Sequence, residues 1–230
     1  MSSGAIRPDV GDPWVKILRE TVDYEFARLF RVIRARLRHR RFDGQMSEPI
    51  TRINFERGDS VGVLLHDPQD DTVILVRQFR YPVYASLDPD QREGEGARQA
   101  WLLETVAGVQ DEGRTVWQVA GKELLEEAGY RVKGKLRPIA TFYVSPGGTS
   151  ERIALFLGEV NHRKRAGQGG GVVAEGEDIQ IVALPFRKAM RMVSRGEIRD
   201  AKTIIALQHL ALRKRDAKRR SSQGHSSARS

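Results

Sequence analysis

The chain has 230 residues, of which 40% are hydrophobic and 30% charged, so it can build one large domain with its own core. It contains no cysteine, which excludes disulfides, thiolate metal sites and a cysteine nucleophile. The net charge is +9 at pH 7, but the segment 213–230 alone carries seven Lys and Arg residues against one Asp. The excess charge is therefore concentrated at the end of the chain, and the sequence does not favour nucleic acid as a partner.

Residues 1–13 are predicted to form a loose leader. The N-terminal sequence MSSGAIRPDVGDPW lacks the apolar core of a signal peptide. No apolar run approaches the ~20 residues that a membrane span needs. We therefore expect a cytoplasmic protein without a membrane partner.

Residues 14–57 are predicted to form an N-terminal antiparallel β extension. The segment RVIRARLRHRR (31–41) has arginine at every second position from 34 to 40, with mostly apolar residues between. A period of two is typical of a strand with one cationic and one apolar face, and a basic helix is the competing interpretation. The dipeptide DG at 43–44 indicates a turn, and ITRINF is then a returning strand.

The segment 58–212 alternates strands and helices. SVGVLLHD and DTVILVRQFR flank the turn-like PQDD and are predicted to pair as core strands. After a polar loop at 84–98, WLLETVAG, KLRPIATFYVS, RIALFLGEV and DIQIVAL indicate further strands. PFRKAMRMVSRG and AKTIIALQHLALRKR indicate helices, so the fold class is α/β or α+β.

The segment 115–128 is predicted to be a helix. Thr115 and Gln118 form a capping-box pattern, and Gly129 is suited to end the helix. A buried stripe follows helical spacing through Val116, Val119, Ala120, Leu124 and Ala128. Gly121 costs roughly 1 kcal/mol relative to alanine in a helix, so we expect a close packing contact there.

Three carboxylates crowd this helix. Glu123 and Glu127 share a face and Glu126 lies at its edge. Like charges at this spacing repel each other. A solvated acidic face is one interpretation. The other is a divalent cation site, because Mg²⁺ and Mn²⁺ prefer oxygen ligands and offset the repulsion between carboxylates.

Residues 108–130, GVQDEGRTVWQVAGKELLEEAGY, resemble the Nudix box, G-x5-E-x7-R-E-U-x-E-E-x-G-U, in which U is bulky and apolar. Seven of the nine fixed positions match: Gly108, Glu123, Leu124, Glu126, Glu127, Gly129 and Tyr130. Arg114 replaces the first Glu and Lys122 replaces the Arg. The resemblance favours the cation site over the solvated face.

The segments ERGDSVGVLL, VRQFR, ETVAG, SPGGTSE, EGEDI and GEIRDAKT occur in the order seen in the ADP-ribose and GDP-mannose pyrophosphatase branch of the Nudix hydrolases. This resemblance covers about residues 50–210. It implies a three-layer α/β/α sandwich with a mixed sheet, plus the β extension. It also implies a homodimer that hydrolyses a nucleoside diphosphate-sugar with Mg²⁺, or Mn²⁺, to a nucleoside monophosphate and a sugar phosphate.

The resemblance also assigns roles to individual residues. The metal ligands implied are the carbonyl of Ala107 and the carboxylates of Glu123, Glu127 and Glu177. Glu175 is implied as general base, with Glu126 as a contact to metal-bound water. The substrate contacts implied are Arg52, Arg80, Glu151 and Lys202.

Four glycines at 167 and 169–171 precede Glu175 and Glu177. The loop is either a plain surface loop or a mobile lid that brings a carboxylate over the substrate.

Two further functions stay open. Arg114 and Lys122 allow a non-catalytic Nudix-fold binder of nucleotide sugars. The segment 213–230 is predicted to be a disordered basic tail, and a weak contact of this tail with nucleic acid is the third hypothesis.

Overall fold

The computed structural model describes residues 13–27, 30–110 and 113–226, with side chains up to residue 220. All but the last residue of the predicted leader lies outside these ranges. The chain divides into two compact units. The first comprises the chain up to Asp59 together with Tyr143–Arg152, and the second comprises Ser60–Phe142 and Ile153–Ser230.

The first unit is built on a three-stranded antiparallel sheet. Its strands are β1 (Val15–Phe26), β2 (Phe30–His39) and β3 (Ile50–Glu56), in the order β1-β2-β3. The arginine-rich segment is thus a strand, as its period of two predicts. The alternative interpretation, a basic helix, is wrong. The segment 143–152 joins this unit through the Phe55 amide, which donates to the Gly148 carbonyl at 2.8 Å.

The second unit is built on a seven-stranded mixed sheet. Its strands are β4 (Ser60–Asp67), β5 (Thr72–Phe79), β6 (Trp101–Glu104), β7 (Val106–Val109), β8 (Arg137–Tyr143), β9 (Arg152–Glu159) and β10 (Gln180–Pro185). The main order is β10-β5-β4-β9-β8, with β6 paired to β5 and β7 to β4. The β4–β9 pair is parallel, whereas β4 pairs antiparallel with β5 and β7.

Helices cover both faces of this sheet. The helices are α1 (Tyr81–Ala85), α2 (Val116–Glu123), α3 (Phe186–Ser194) and α4 (Ala201–Ser226). On β4, Val61 and Val63 pack in the same core cluster as Leu124 after α2, whereas Leu64 packs with Leu207 of α4. Side chains of a strand alternate between faces, so one strand serves two cores. This confirms the predicted three-layer α/β/α arrangement.

The predicted polar loop at 84–98 contains more regular structure than the sequence indicates. It holds the end of α1 and two 3-10 turns, Pro89–Gln91 and Gly94–Ala100.

Helix α2 begins where the sequence predicts, and the helical segment as a whole ends at the predicted Gly129. Thr115 Oγ1 accepts from the Gln118 amide at 3.3 Å, and Gln118 Oε1 accepts from the Thr115 amide at 2.8 Å. After Glu123 the helix widens into one π-helical turn, Leu124–Ala128, and Gly129 then adopts φ +71°. The π turn is not predictable from the apolar spacing of this segment, and such turns are frequent at functional sites.

Helix α4 extends through most of the segment that was predicted to be a disordered tail. It reaches Ser226, and Lys, Arg, Ala and Gln are good helix formers. Lys214 pairs with the Asp71 carboxylate and lies 4.8 Å from the centre of the Phe186 ring. Neither α4 nor any other helix in the described ranges combines the length and the apolar character of a membrane span.

The prediction of a close packing contact at Gly121 is wrong. Gly121 is exposed, and a Cβ placed on it would meet no atom within 4 Å beyond the helix itself. Gly121 therefore lowers the stability of the helix, and the described residues show no packing contact that requires it.

Replacing Gly121 by alanine should raise the free energy of unfolding by about 1 kcal/mol, because alanine restricts the unfolded chain and favours the helix. Urea denaturation measures the change. Gly129→Ala is the matched control and should lose stability, since Gly129 has φ +71° and a Cβ there would lie 3.0 Å from the Gly167 carbonyl carbon. A Gly121→Ala variant that is less stable than the parent would show a constraint at this position.

Candidate active site

The end of β7 and the second half of the box helix form the centre of the site. Glu127 is 3% exposed, and its Oε2 accepts a hydrogen bond from the Ala107 amide at 3.2 Å. The Glu123 side chain lies directly over Gly108, where any Cβ would overlap its Cγ and Cδ atoms. Glycine at 108 is thus required by the close approach of the carboxylate that the sequence predicts as a metal ligand.

The surroundings of the buried Glu127 carboxyl favour its neutral form over its charged form. Burial, together with the negative charges of Glu123 and Glu177, raises the pKa of Glu127 to about 8. The Ala107 amide and the Arg80 guanidinium act in the opposite direction but do not cancel this rise. The fold therefore brings Glu123, Glu127 and Glu177 within electrostatic range of one another from two distant parts of the sequence.

The glycine loop is anchored on the end of the box helix. The Gly170 and Gly171 amides donate to the carbonyls of Glu127 and Glu126 at 2.9 and 3.0 Å, and the Ala166 amide donates to the Gly129 carbonyl at 2.7 Å. These bonds satisfy carbonyls that a helix end leaves without partners. The structure therefore shows an anchored loop where the sequence suggested a flexible one.

This loop positions Glu177. The Val172 amide donates to Glu177 Oε2 at 2.9 Å, which holds the carboxylate against the loop backbone. Glu177 is half-buried, whereas Glu175 is exposed at the end of a 3-10 turn, Val173–Glu175. The backbone of the anchored loop therefore holds the Glu177 carboxylate, whereas Glu175 lies on an exposed turn.

Glu126 and the two residues that depart from the Nudix box lie at the edge of the site. Lys122 Nζ lies 3.3 Å from Glu126 Oε2 and 3.7 Å from Glu123 Oε1. Lys122 thus pairs with acids of its own helix instead of an acid at position 114. Arg114 is exposed just before the helix, where its carbonyl accepts from the Gln110 side chain.

Arg80 and Lys202 meet at one buried carboxylate, that of Glu104. Arg80 donates from Nε and Nη2 to the two Glu104 oxygens at 2.8 and 3.0 Å. Lys202 Nζ donates to Glu104 Oε2 and, at 2.9 Å, to Asp200 Oδ1. Burial would raise the pKa of Glu104, but Arg80 and Lys202 outweigh it and hold the pKa below its usual value.

Glu104 and Asp200 are not among the site residues predicted from the sequence. A signal for Glu104 is present in WLLETVAG, where one acid stands between apolar residues at the end of a core strand. Such an acid needs a buried cationic partner. The partner is not identifiable from spacing alone, because Arg80 and Lys202 lie far away along the chain in both directions.

Two predicted substrate contacts lie in the first unit. Arg52 is exposed on β3, and its Nη1 donates to the Thr51 carbonyl at 2.9 Å. Glu151 is 7% exposed, and its Oε2 lies 3.6 Å from Arg57 Nη1.

A second group of possible metal ligands consists of Asp67, Asp70 and His162. His162 donates its amide to Asp67 Oδ2 at 2.9 Å, and its Nδ1 lies 2.9 Å from the same oxygen. Burial would raise the pKa of Asp67, but the bonds from His162 lower it well below the usual range. Arg163 also pairs with Asp70 at 3.0 Å, so this group already includes a cationic side chain. Glu127, in contrast, is a buried carboxyl whose pKa is raised to about 8.

Comparison with known proteins agrees with this geometry. The NUDIX domain model matches residues 56–207. ADP-ribose pyrophosphatase of Escherichia coli K12 is 40% identical over 196 residues, which are 85% of this chain and 87% of that protein. GDP-mannose pyrophosphatase of Cronobacter sakazakii is 39% identical over 159 residues, which are 69% of this chain and 76% of that protein.

A solved structure described as an ADP compounds hydrolase has a similar fold. Its TM-score is 0.64 at 19% identity, and the match covers 89% of this chain and 96% of that one. The domain match spans more than half of the chain and includes the whole box with its clustered glutamates. The chain therefore belongs to the NUDIX family and is a hydrolase acting on acid anhydrides.

Proposed function

We propose that the protein hydrolyses the pyrophosphate bond of a nucleoside diphosphate-sugar of the ADP-ribose or GDP-mannose type. The products are a nucleoside monophosphate and a sugar phosphate. The relatives support this proposal through their names, which give ADP-ribose and GDP-mannose as substrates at similar identity. The single observation that carries the proposal is the buried carboxylate of Glu127, with the carboxylates of Glu123 and Glu177 within electrostatic range of it.

This carboxylate group fits a divalent cation. Burial and two like-charged neighbours raise the pKa of Glu127 to about 8, so the site favours the binding of positive charge. Oxygen donors of this kind suit Mg²⁺, with Mn²⁺ as an alternative. The residues that would hold it are Ala107, through its carbonyl, and Glu123, Glu127 and Glu177. A bound cation would polarise the pyrophosphate and make a water molecule more acidic.

Three side chains around the carboxylate group have further roles in the proposed reaction. Arg80 binds the pyrophosphate, because its planar fork matches phosphate oxygens. Glu175 accepts the proton of the attacking water, and its exposed turn lets it approach when substrate is bound. Glu126 bonds to water in the site from the helix edge.

Substrate selection is assigned to residues outside the carboxylate group. We propose that Arg52 and Glu151 contribute to recognition of the nucleotide sugar. Lys202 is instead paired with Glu104 and Asp200.

Activity on a panel that includes ADP-ribose and GDP-mannose should require Mg²⁺ and should fall at least about a thousandfold in Glu127→Gln, since loss of a ligand removes charge stabilisation at the reacting phosphate. Chromatography of the products measures the rate. Glu95→Gln is the matched control because Glu95 is 82% exposed in a pair with Arg98; it should leave the rate unchanged. Nucleotide-sugar binding without any turnover would instead support a non-catalytic binder.

We further propose that the protein is a homodimer in which a second copy covers β1. The first unit is a small sheet with exposed apolar side chains on β1, among which Ile17 at 51% and Val22 at 52% lie on the same face. Three strands need an apolar face packed against something else to be stable. Contiguous exposed apolar side chains are typical of protein interfaces.

Val22→Lys should convert the dimer to a monomer, because the interface would have to bury an unpaired charge. Light scattering after size exclusion measures the mass. Gln69→Lys adds the same charge at an exposed site of the second unit and should stay dimeric. A monomeric parent protein would contradict the proposal, and so would a dimer unaffected by Val22→Lys.

A further inference from the structure

Glu104 connects two cations that the reaction is expected to use. It ends β6 and is 2% exposed, yet both its oxygens are occupied by donors. Arg80 clamps it with two nitrogens at 2.8 and 3.0 Å. Such a two-point pairing fixes the plane of the guanidinium as well as its position.

The clamp holds Arg80 next to the carboxylate group. Glu127 contributes to the electrostatic environment of Arg80, as does Asp200, so the guanidinium lies within range of the box helix. The clamp uses one edge of the guanidinium, and the Arg80 side chain is still 39% exposed. The clamp thus leaves part of the guanidinium accessible to a ligand.

Lys202 faces Glu104 instead of an open surface. Its side chain is 10% exposed, and its ammonium donates to both Glu104 and Asp200. Asp200 in turn accepts from the Thr203 amide at 2.9 Å, and Thr203 Oγ1 accepts from the Thr105 amide at 2.7 Å. The start of α4 is thereby tied to the strands that carry Glu104 and Ala107.

The four charges alternate in sign along Arg80, Glu104, Lys202 and Asp200. A buried anion with two cations is compensated, whereas removal of one partner leaves an uncompensated charge. The two-point pairing with Glu104 therefore fixes the orientation of the Arg80 guanidinium.

We propose that Glu104 is the positioning residue that aims Arg80 at the substrate pyrophosphate, and that Lys202 acts through Glu104. This inference rests on the proposed function and sharpens it. Lys202 then influences the reaction without touching the nucleotide sugar, which distinguishes it from a direct substrate contact.

A double-mutant cycle tests the inference. Arg80→Ala, Glu104→Gln and the double variant are compared in kcat and KM with saturating Mg²⁺. Loss of one charge-assisted hydrogen bond should lower kcat/KM of Glu104→Gln roughly 10- to 100-fold. In the Arg80→Ala background the same change should have little further effect, because Glu104 then has no guanidinium to aim. Losses that multiply would overturn the proposal, as would a Glu104→Gln variant as active as the parent.

A second cycle uses Lys202→Gln, which keeps a donor towards Glu104. It should reproduce the kcat and KM pattern of Glu104→Gln and lose its effect when Arg80 is alanine. A rise in KM that persists in the Arg80→Ala background would show that Lys202 contacts substrate. This variant keeps the proposal testable if Glu104→Gln fails to fold, which thermal unfolding reveals.

The same variants are titrated with inorganic pyrophosphate in Mg²⁺, so that the two proposals fail separately. If the parent protein turns over no nucleotide sugar, the proposed reaction fails. The dissociation constants for pyrophosphate then still report whether Glu104 acts through Arg80. Glu95→Gln, which breaks an exposed pair with Arg98, is the control and should change neither measurement.

Discussion

The structure of the site depends on the burial of one carboxylate beside two others. Glu127 is almost inaccessible, and Glu123 and Glu177 add negative charge to its surroundings. An isolated buried charge is costly unless it is paired or bound to a cation. The fold retains this arrangement although the acid-rich helix would be more stable without it. In the proposed function, a cation that binds oxygen ligands would offset this repulsion and would also polarise the pyrophosphate.

The rest of the second unit serves to hold this group in place. Strand β7 supplies an amide for Glu127 and a glycine that lets Glu123 approach. The loop after β9 closes the end of the box helix with its backbone amides and delivers Glu177. Glu104 clamps Arg80 through two hydrogen bonds at 2.8 and 3.0 Å. Negative and positive components of the site are therefore positioned by separate, rigid contacts.

Local patterns predicted much of this arrangement. Capping at Thr115, the apolar stripe of the box helix and the alternating arginines of β2 each follow from contacts within a few residues. The sequence could not reveal the open space around Gly121 or the anchoring of the glycine loop, because these depend on distant parts of the chain. It also missed Glu104, whose partners come from β5 and α4. The helix beyond residue 212 is not expected from the sequence, because a high content of basic residues and serine is typical of disordered segments. The good helix formers Lys, Arg and Ala nevertheless continue α4 to Ser226.

The most direct test of the account is thermal unfolding of the parent protein and Glu127→Gln, with and without MgCl₂. A ligand that binds only the folded state raises its melting temperature. Mg²⁺ should stabilise the parent and leave Glu127→Gln unchanged. Without Mg²⁺ and at neutral pH the variant should be at least as stable as the parent. Folding of the parent must protonate a carboxyl whose pKa is raised to about 8, whereas glutamine accepts the Ala107 bond without this cost. Equal stabilisation of both proteins by Mg²⁺, or a metal-free variant less stable than the parent, would contradict the account.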